Sequence, residues 1–89
     1  MRDYFVRYNL ASEVDGHCLA WGIVSFSAKN PRHARRKLTA GLGELEGEVA
    51  KVSKEKDFRI LFVGDAYESR DKVKGPDHDY LGFIDLSKG

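Results

Sequence analysis

With 89 residues, 42% of them hydrophobic and 33% charged, the chain has room for one hydrophobic core and is too apolar to be disordered. A net charge of +1 excludes a global field drawing it to nucleic acid or an anionic membrane, and one cysteine, Cys18, excludes an internal disulfide. The opening MRDYFVRYNL has no long apolar run, so no signal peptide or membrane span is expected, and the expected location is cytoplasmic.

Two runs open the chain with a hairpin signature. Residues 3–11 alternate, with Tyr4, Val6, Tyr8 and Leu10 on one side and Phe5, Arg7 and Asn9 on the other. Residues 19–28 are rich in β-branched and aromatic side chains, and Asp15-Gly16 between the two runs supplies the positive φ that a tight turn needs. An antiparallel pair follows.

Asn30-Pro31 predicts a helix start, because Asn accepts from the orphan amides of the first turn and Pro suits the first helical position. Ala34, Leu38, Leu42, Leu45, Val49 and Val52 recur at steps of three and four and mark one helix face. Gly41, Gly43 and Gly47 oppose one continuous helix, each costing about 1 kcal/mol relative to Ala. The helix is therefore expected to end or kink near 41–43, with a second helical or extended piece over 44–54; a strand over 48–53 is the rival reading.

Residues 58–63, FRILFV, are the clearest strand, with Phe58, Ile60 and Phe62 pointing one way and Arg59, Leu61 and Val63 the other. From Gly64 the sequence turns polar and reads as a loop punctuated by Gly75-Pro76. Residues 80–86 suit a short last strand or a docking tail. The expected fold is α+β, one domain over 1–89: an antiparallel sheet of three to four strands with one main helix on one face. Its parts are a β-β-α-β core over 1–65, a polar loop over 66–79 and a strand or tail over 80–89. The third strand is expected beside the first, which becomes central.

A single helix covers one side of a sheet. Ala20, Gly22, Val24, Phe26 and Ala28 form the helix side of the second strand, with small residues expected to admit the helix closely. The helix-free face then presents Phe5, Trp21, Ile23, Leu61 and Val63, edged by Arg7 and Arg59. Apolar patches of this kind mark contact surfaces, and Trp and Arg are enriched at interface hot spots. Alternatively, the C-terminal segment folds back and buries Tyr80, Leu81, Phe83 and Ile84 there. A third reading has Phe5 and Trp21 stacking bases while Arg7 and Arg59 meet phosphates, although Ile23, Leu61 and Val63 make the face greasier than that task needs.

Residues 32–37, RHARRK, put Arg32, His33, Arg35, Arg36 and Lys37 into the first helical turns, where the dipole disfavours cations. Such a cluster suits phosphate or carboxylate; the plainer reading is a wet helix face with some residues paired. The imbalance is wider than the helix: residues 1–43 carry seven Lys/Arg against three Asp/Glu, and residues 44–89 eight against eleven.

Catalysis and metal binding find little support. Asp15, His17 and Cys18 sit together in the first loop and Asp77, His78 and Asp79 in the last, but neighbours in a turn rarely converge on one ion. No CxxC, HxxxH or HExxH spacing occurs, and Gly41-x-Gly43 lacks the third glycine and the preceding strand of a dinucleotide fingerprint. No catalytic, metal or cofactor residue is expected. The expected function is a non-enzymatic protein-binding module, accessory, regulatory or inhibitory, of the kind phages and mobile elements often carry. Its partner is another protein or a second copy, met through Phe5, Arg7, Trp21, Ile23, Arg59, Leu61 and Val63. The second reading is nucleic-acid binding through Arg32, Arg35, Arg36 and Lys37. No membrane partner is expected.

Overall fold

The computed structural model describes residues 1–54 and 57–86. The sheet begins with β1 (Arg2–Ser12) and β2 (Cys18–Ala28), paired antiparallel from Arg2 against Ala28 through Leu10 against Ala20. Gly16 takes φ 76° in the connecting turn, where its amide donates to the Ser12 carbonyl and the Ser12 amide to that of His17. The register slips after Leu10, so Ala11 faces Cys18 and Leu19 is left over to join the main core.

Two helices follow, where one main helix ending or kinking near 41–43, with a helical or extended piece after it, was expected. In α1 (Pro31–Ala40) Asn30 caps the first turn by accepting from the His33 amide at 2.8 Å. Gly41 ends that helix and starts α2 (Leu42–Val52): its amide donates back to the Lys37 carbonyl, and its carbonyl accepts from Leu45. The helical spacing of Leu45 and Val49 therefore prevails over the rival strand at 48–53, and both side chains are buried.

β3 (Phe58–Tyr67) is longer than the expected 58–63. It passes through a bulge, with Phe5 facing Tyr67 and Arg7 facing Val63, and Gly64 takes the φ of 77° that the irregularity needs. A polar segment, residues 68–79, then leads to β4 (Tyr80–Asp85), which pairs with β2.

The strand order is β3-β1-β2-β4, with β1 and β2 in the middle. The sheet is mixed and not purely antiparallel, because β4 runs parallel to β2. Topology requires this direction. β3 ends beside Phe5, at one end of β1, whereas β4 starts beside Trp21, near the other. The chain must cross the sheet before β4 begins, and a crossover of that kind produces parallel strands. The calls on residues 55–56 and 87–89 lie outside the described residues.

The helices cover one face. Tyr4, Val6, Tyr8 and Leu10 of β1 and Val24, Phe26 and Ala28 of β2 are buried against Ala34, Leu38, Leu45 and Val49. At the two sheet edges Phe58, Ile60 and Phe62 of β3 and Leu81 and Ile84 of β4 complete this layer, only partly buried. Gly22 makes room for a strand neighbour and not for a helix: a Cβ there would lie 2.4 Å from the Tyr8 hydroxyl oxygen and 2.9 Å from the Gly82 carbonyl. Tyr8 thus spreads across Gly22 inside the core, and its hydroxyl is fully buried with no hydrogen-bond partner among the described residues. That burial pushes its pKa up to about 12. Among the described residues no helix is long and apolar enough to cross a membrane.

Candidate interaction surface

Pairing across the strands brings all seven side chains of the expected patch to the helix-free face. Arg7 lies between Ile23 on β2 and Val63 on β3, Asn9 between Trp21 and Leu61, and Phe5 between Ser25 and Tyr67. On the far side β4 sets Tyr80 beside Trp21 and Phe83 beside Ile23. Leu81 and Ile84 turn to the helix layer, so the C-terminal segment does not fold back over this face.

The polar segment does. Residues 68–79 run across the helix-free face as a strap, and one apolar side chain, Val73, anchors it. Val73 is buried in a small second core with Trp21 and Ile23, against which Phe5 and Tyr67 pack. Gly75 lies directly on the indole, where a Cβ would stand 2.7 Å from three ring atoms. The Trp21 indole N–H donates to the carbonyls of Pro76 and His78, each at 3.0 Å, and the Trp21 amide donates to Asp79. Arg7 holds the middle of the strap, donating to the Lys74 carbonyl at 3.2 Å and to Asn9 at 2.9 Å, with its guanidinium 5.2 Å from the Trp21 ring centroid. Arg70 at the start of the strap lies over Phe83 and donates to the Tyr80 hydroxyl, and Glu68 pairs with Arg2.

The expected patch is therefore divided. Trp21 and Ile23 are only 8% and 5% exposed, so they are not open contact residues. Base stacking on Trp21 is ruled out in this arrangement, since the strap occupies its ring, and Arg7 is spent on the Lys74 carbonyl and Asn9. Leu61 and Val63 keep 45% and 38% of their surface, and Arg59 beside them is exposed. Phe5 is half-buried, with its ring centroid 6.0 Å from that of Phe83. A notch of about 180 Å³ stays open between β3 and the strap, lined by Arg7, Val63, Tyr67 and Val73 among others.

These exposed side chains sit on an edge. β3 has β1 on one side and, among the described residues, no strand on the other. Over residues 58–63 it carries one charge, Arg59, no proline and no glycine. An edge strand turns alternate N–H and C=O groups outward, and native proteins usually blunt such edges with charge, proline or a bulge. Here the bulge at 64–66 comes only after the apolar run, and so it limits the open edge to 58–63.

The basic first turns of α1 lie elsewhere, on the helix layer. Arg35 reaches across to β3, donating to Asp65 at 3.2 Å and to the Gly64 carbonyl. Arg36 and Lys37 line an open cleft with Lys29, Asn30 and His33, and Arg32 is exposed beside them. Neither loop histidine gathers a metal site, and no group of three or more His, Cys, Asp or Glu could hold a metal ion among the described residues. His17 pairs with Asp15, whose carboxyl is held below its usual range by that hydrogen bond, and His78 pairs with Asp79.

Sequence reasoning missed the strap. Its signal was slight: Val73 is the only large aliphatic side chain in SRDKVKGPDHD, and Gly75-Pro76 follows it. Compared with protein-family models, curated proteins and solved structures, the chain matches none.

Proposed function

We propose that the chain is a non-enzymatic protein-binding module that recruits an extended strand along the open edge of β3, and that a second copy is the partner it takes. The observation carrying this reading is the exposure of Leu61 and Val63, continuous with an edge of β3 that no strand pairs among the described residues. Strand addition draws affinity from main-chain hydrogen bonds and specificity from alternate side chains.

The run is self-complementary. An antiparallel pair centred on Leu61 sets Leu61 against its own copy and Arg59 against Val63 on one face. On the other face Ile60 meets Phe62. No two like charges oppose each other within 58–63 in that register, and the two-fold arrangement closes on itself as a dimer interface must. The exposed Cys18 and the absence of a disulfide suit a reducing, cytoplasmic setting.

Light-scattering mass on a gel-filtration column tests this. The wild type is expected at twice the 10.0 kDa chain mass, and Leu61→Lys at the monomer mass with an unchanged far-ultraviolet dichroism spectrum. A Leu61→Lys variant that stays dimeric, or a wild type that is monomeric at every concentration, would overturn self-pairing through β3.

A further inference from the structure

The helix layer carries a feature that strand pairing does not use. α1, PRHARRKLTA, holds five basic side chains and no acidic one, whereas α2, LGELEGEVAKV, holds three glutamates and one lysine. The fold does supply partners to some cations: Arg2 pairs with Glu68, Arg35 with Asp65 and Lys51 with Glu48. It supplies none to Lys29, Arg32 or Arg36, which have no ion-pair partner among the described residues.

Three of the basic groups converge. Lys29, Arg36 and Lys37, together with Asn30 and His33, line an open cleft of about 470 Å³ whose only apolar lining residue is Ala40. The helix amides are not what is on offer. The His33 amide is taken by the Asn30 side chain and the Ala34 amide by the Asn30 carbonyl. The ligand-facing groups are side chains.

His33 has a defined role among them. Its Nδ1 accepts from the Lys29 amide at 3.0 Å, which leaves the ring proton on Nε2 as a donor on the far side of the ring. Lys37 is steadied by donating to the Ser27 carbonyl. The wet-face reading of this segment accounts for Arg35, which is paired. It does not account for Lys29, Arg36 and Lys37 gathered with one histidine around a single cleft.

We infer that this cleft binds the phosphates of a nucleic-acid backbone, through Lys29, Arg36 and Lys37 with Arg32 at its margin. The cations form a strip and not a point, since Arg32 and Arg36, like His33 and Lys37, stack one turn apart along the helix surface. A strip fits a repeating anion. A mononucleotide would need an apolar wall for its base, and the cleft has none beyond Ala40. Contacts confined to phosphate give binding without sequence preference.

Fluorescence anisotropy of a labelled single-stranded oligonucleotide, titrated with the full chain, tests this. Oligo-dT and oligo-dA are expected to bind alike. With about three phosphate contacts at about −0.7 in log K per contact, affinity should fall about tenfold or more between about 50 and about 200 mM salt. Lys29→Glu with Arg36→Glu should weaken binding about tenfold or more, while Lys51→Glu with Lys54→Glu, an equal charge change near the end of α2, should shift it far less. Three results would overturn the inference. They are no binding at low salt, equal weakening by the two charge-reversed pairs, and full competition by inorganic pyrophosphate at the same concentration as oligonucleotide phosphate, which would make the cleft a small-anion site. Because the reversed residues lie off β3, the dimer mass of the Lys29→Glu, Arg36→Glu variant should not change, so this inference and strand pairing fail separately.

Discussion

The two faces of this sheet are covered by different means. On the helix side, apolar side chains at helical spacing on α1 and α2 meet alternating apolar residues of β1 and β2, and the cover is side chain on side chain. On the other side a strap of charged and polar residues is held by one valine, one glycine pressed on an indole, and backbone carbonyls that accept from Trp21 and Arg7. The first cover is thick and buries its residues almost completely. The second protects Trp21 and Ile23, then stops short of Leu61 and Val63 on one edge strand and leaves Tyr80 and Phe83 partly open on the other. A face closed by a strap can be closed selectively, and the part left open on β3 lies beside a free strand edge.

Truncations should separate the two covers most clearly. Leu45→Ala, in the helix layer, is expected to cost about 3 kcal/mol, whereas Val73→Ala, beneath the strap, should cost about 1 kcal/mol because it removes less volume from a shallower site. Urea unfolding midpoints at constant m-value measure both, and equal losses would mean that the strap is as much a core element as the helices.

Gly75→Val comes next. Its side chain cannot fit on the indole, so the strap must lift, and Trp21 emission should shift to the red and become open to quenching. The global unfolding midpoint should fall less than for Leu45→Ala. An unshifted emission would show that the strap is not what buries Trp21.

A smaller effect of opposite sign is expected at Tyr8, whose buried hydroxyl has no partner among the described residues. Tyr8→Phe should leave stability unchanged or raise it by up to about 1 kcal/mol, as removal of an unsatisfied polar group does. The pH dependence sharpens this. With a pKa of about 12 in the folded chain against about 10 when unfolded, the wild type loses stability as pH rises through that window. Tyr8→Phe should lose less over the same range. A destabilised Tyr8→Phe would reveal a hydrogen bond to the hydroxyl.

The smallest effect concerns His33. Partial burial and the charges of Lys37, Arg36 and Lys29 hold its imidazole below the usual range. The neutral ring is therefore the native form, and a small stability contribution is lost as pH falls below about 6.5 toward the lowered value. An NMR titration should show the low midpoint, and bound oligonucleotide should raise it. A midpoint at the free-imidazole value would mean that the cations do not converge on the ring.

Much of the helix side was legible in the sequence. Asn30-Pro31 marked the helix start, Asp15-Gly16 the hairpin turn, and the residues that alternate in β1 and β3 do share faces as read. The glycines that argued against one long helix became a single junction at Gly41, because Leu45 and Val49 had a face to bury on its far side. The direction of β4 was not legible, since it depends on which end of the sheet the preceding crossover reaches. The membership of the helix-free patch was readable and its exposure was not. Carbonyls of Lys74, Pro76 and His78 hold the strap, and a backbone carbonyl leaves no mark in the side-chain pattern.

Hydrogen exchange followed by NMR at two protein concentrations tests the central claim most directly, that the helix-free face is sealed over Trp21 and that a second copy pairs along β3. The expected result is that dilution deprotects outward amides of residues 58–63, while the Trp21 indole N–H stays slow at both concentrations. A Trp21 indole that loses protection on dilution, with β3 unaffected, would place the contact under the strap and contradict the account.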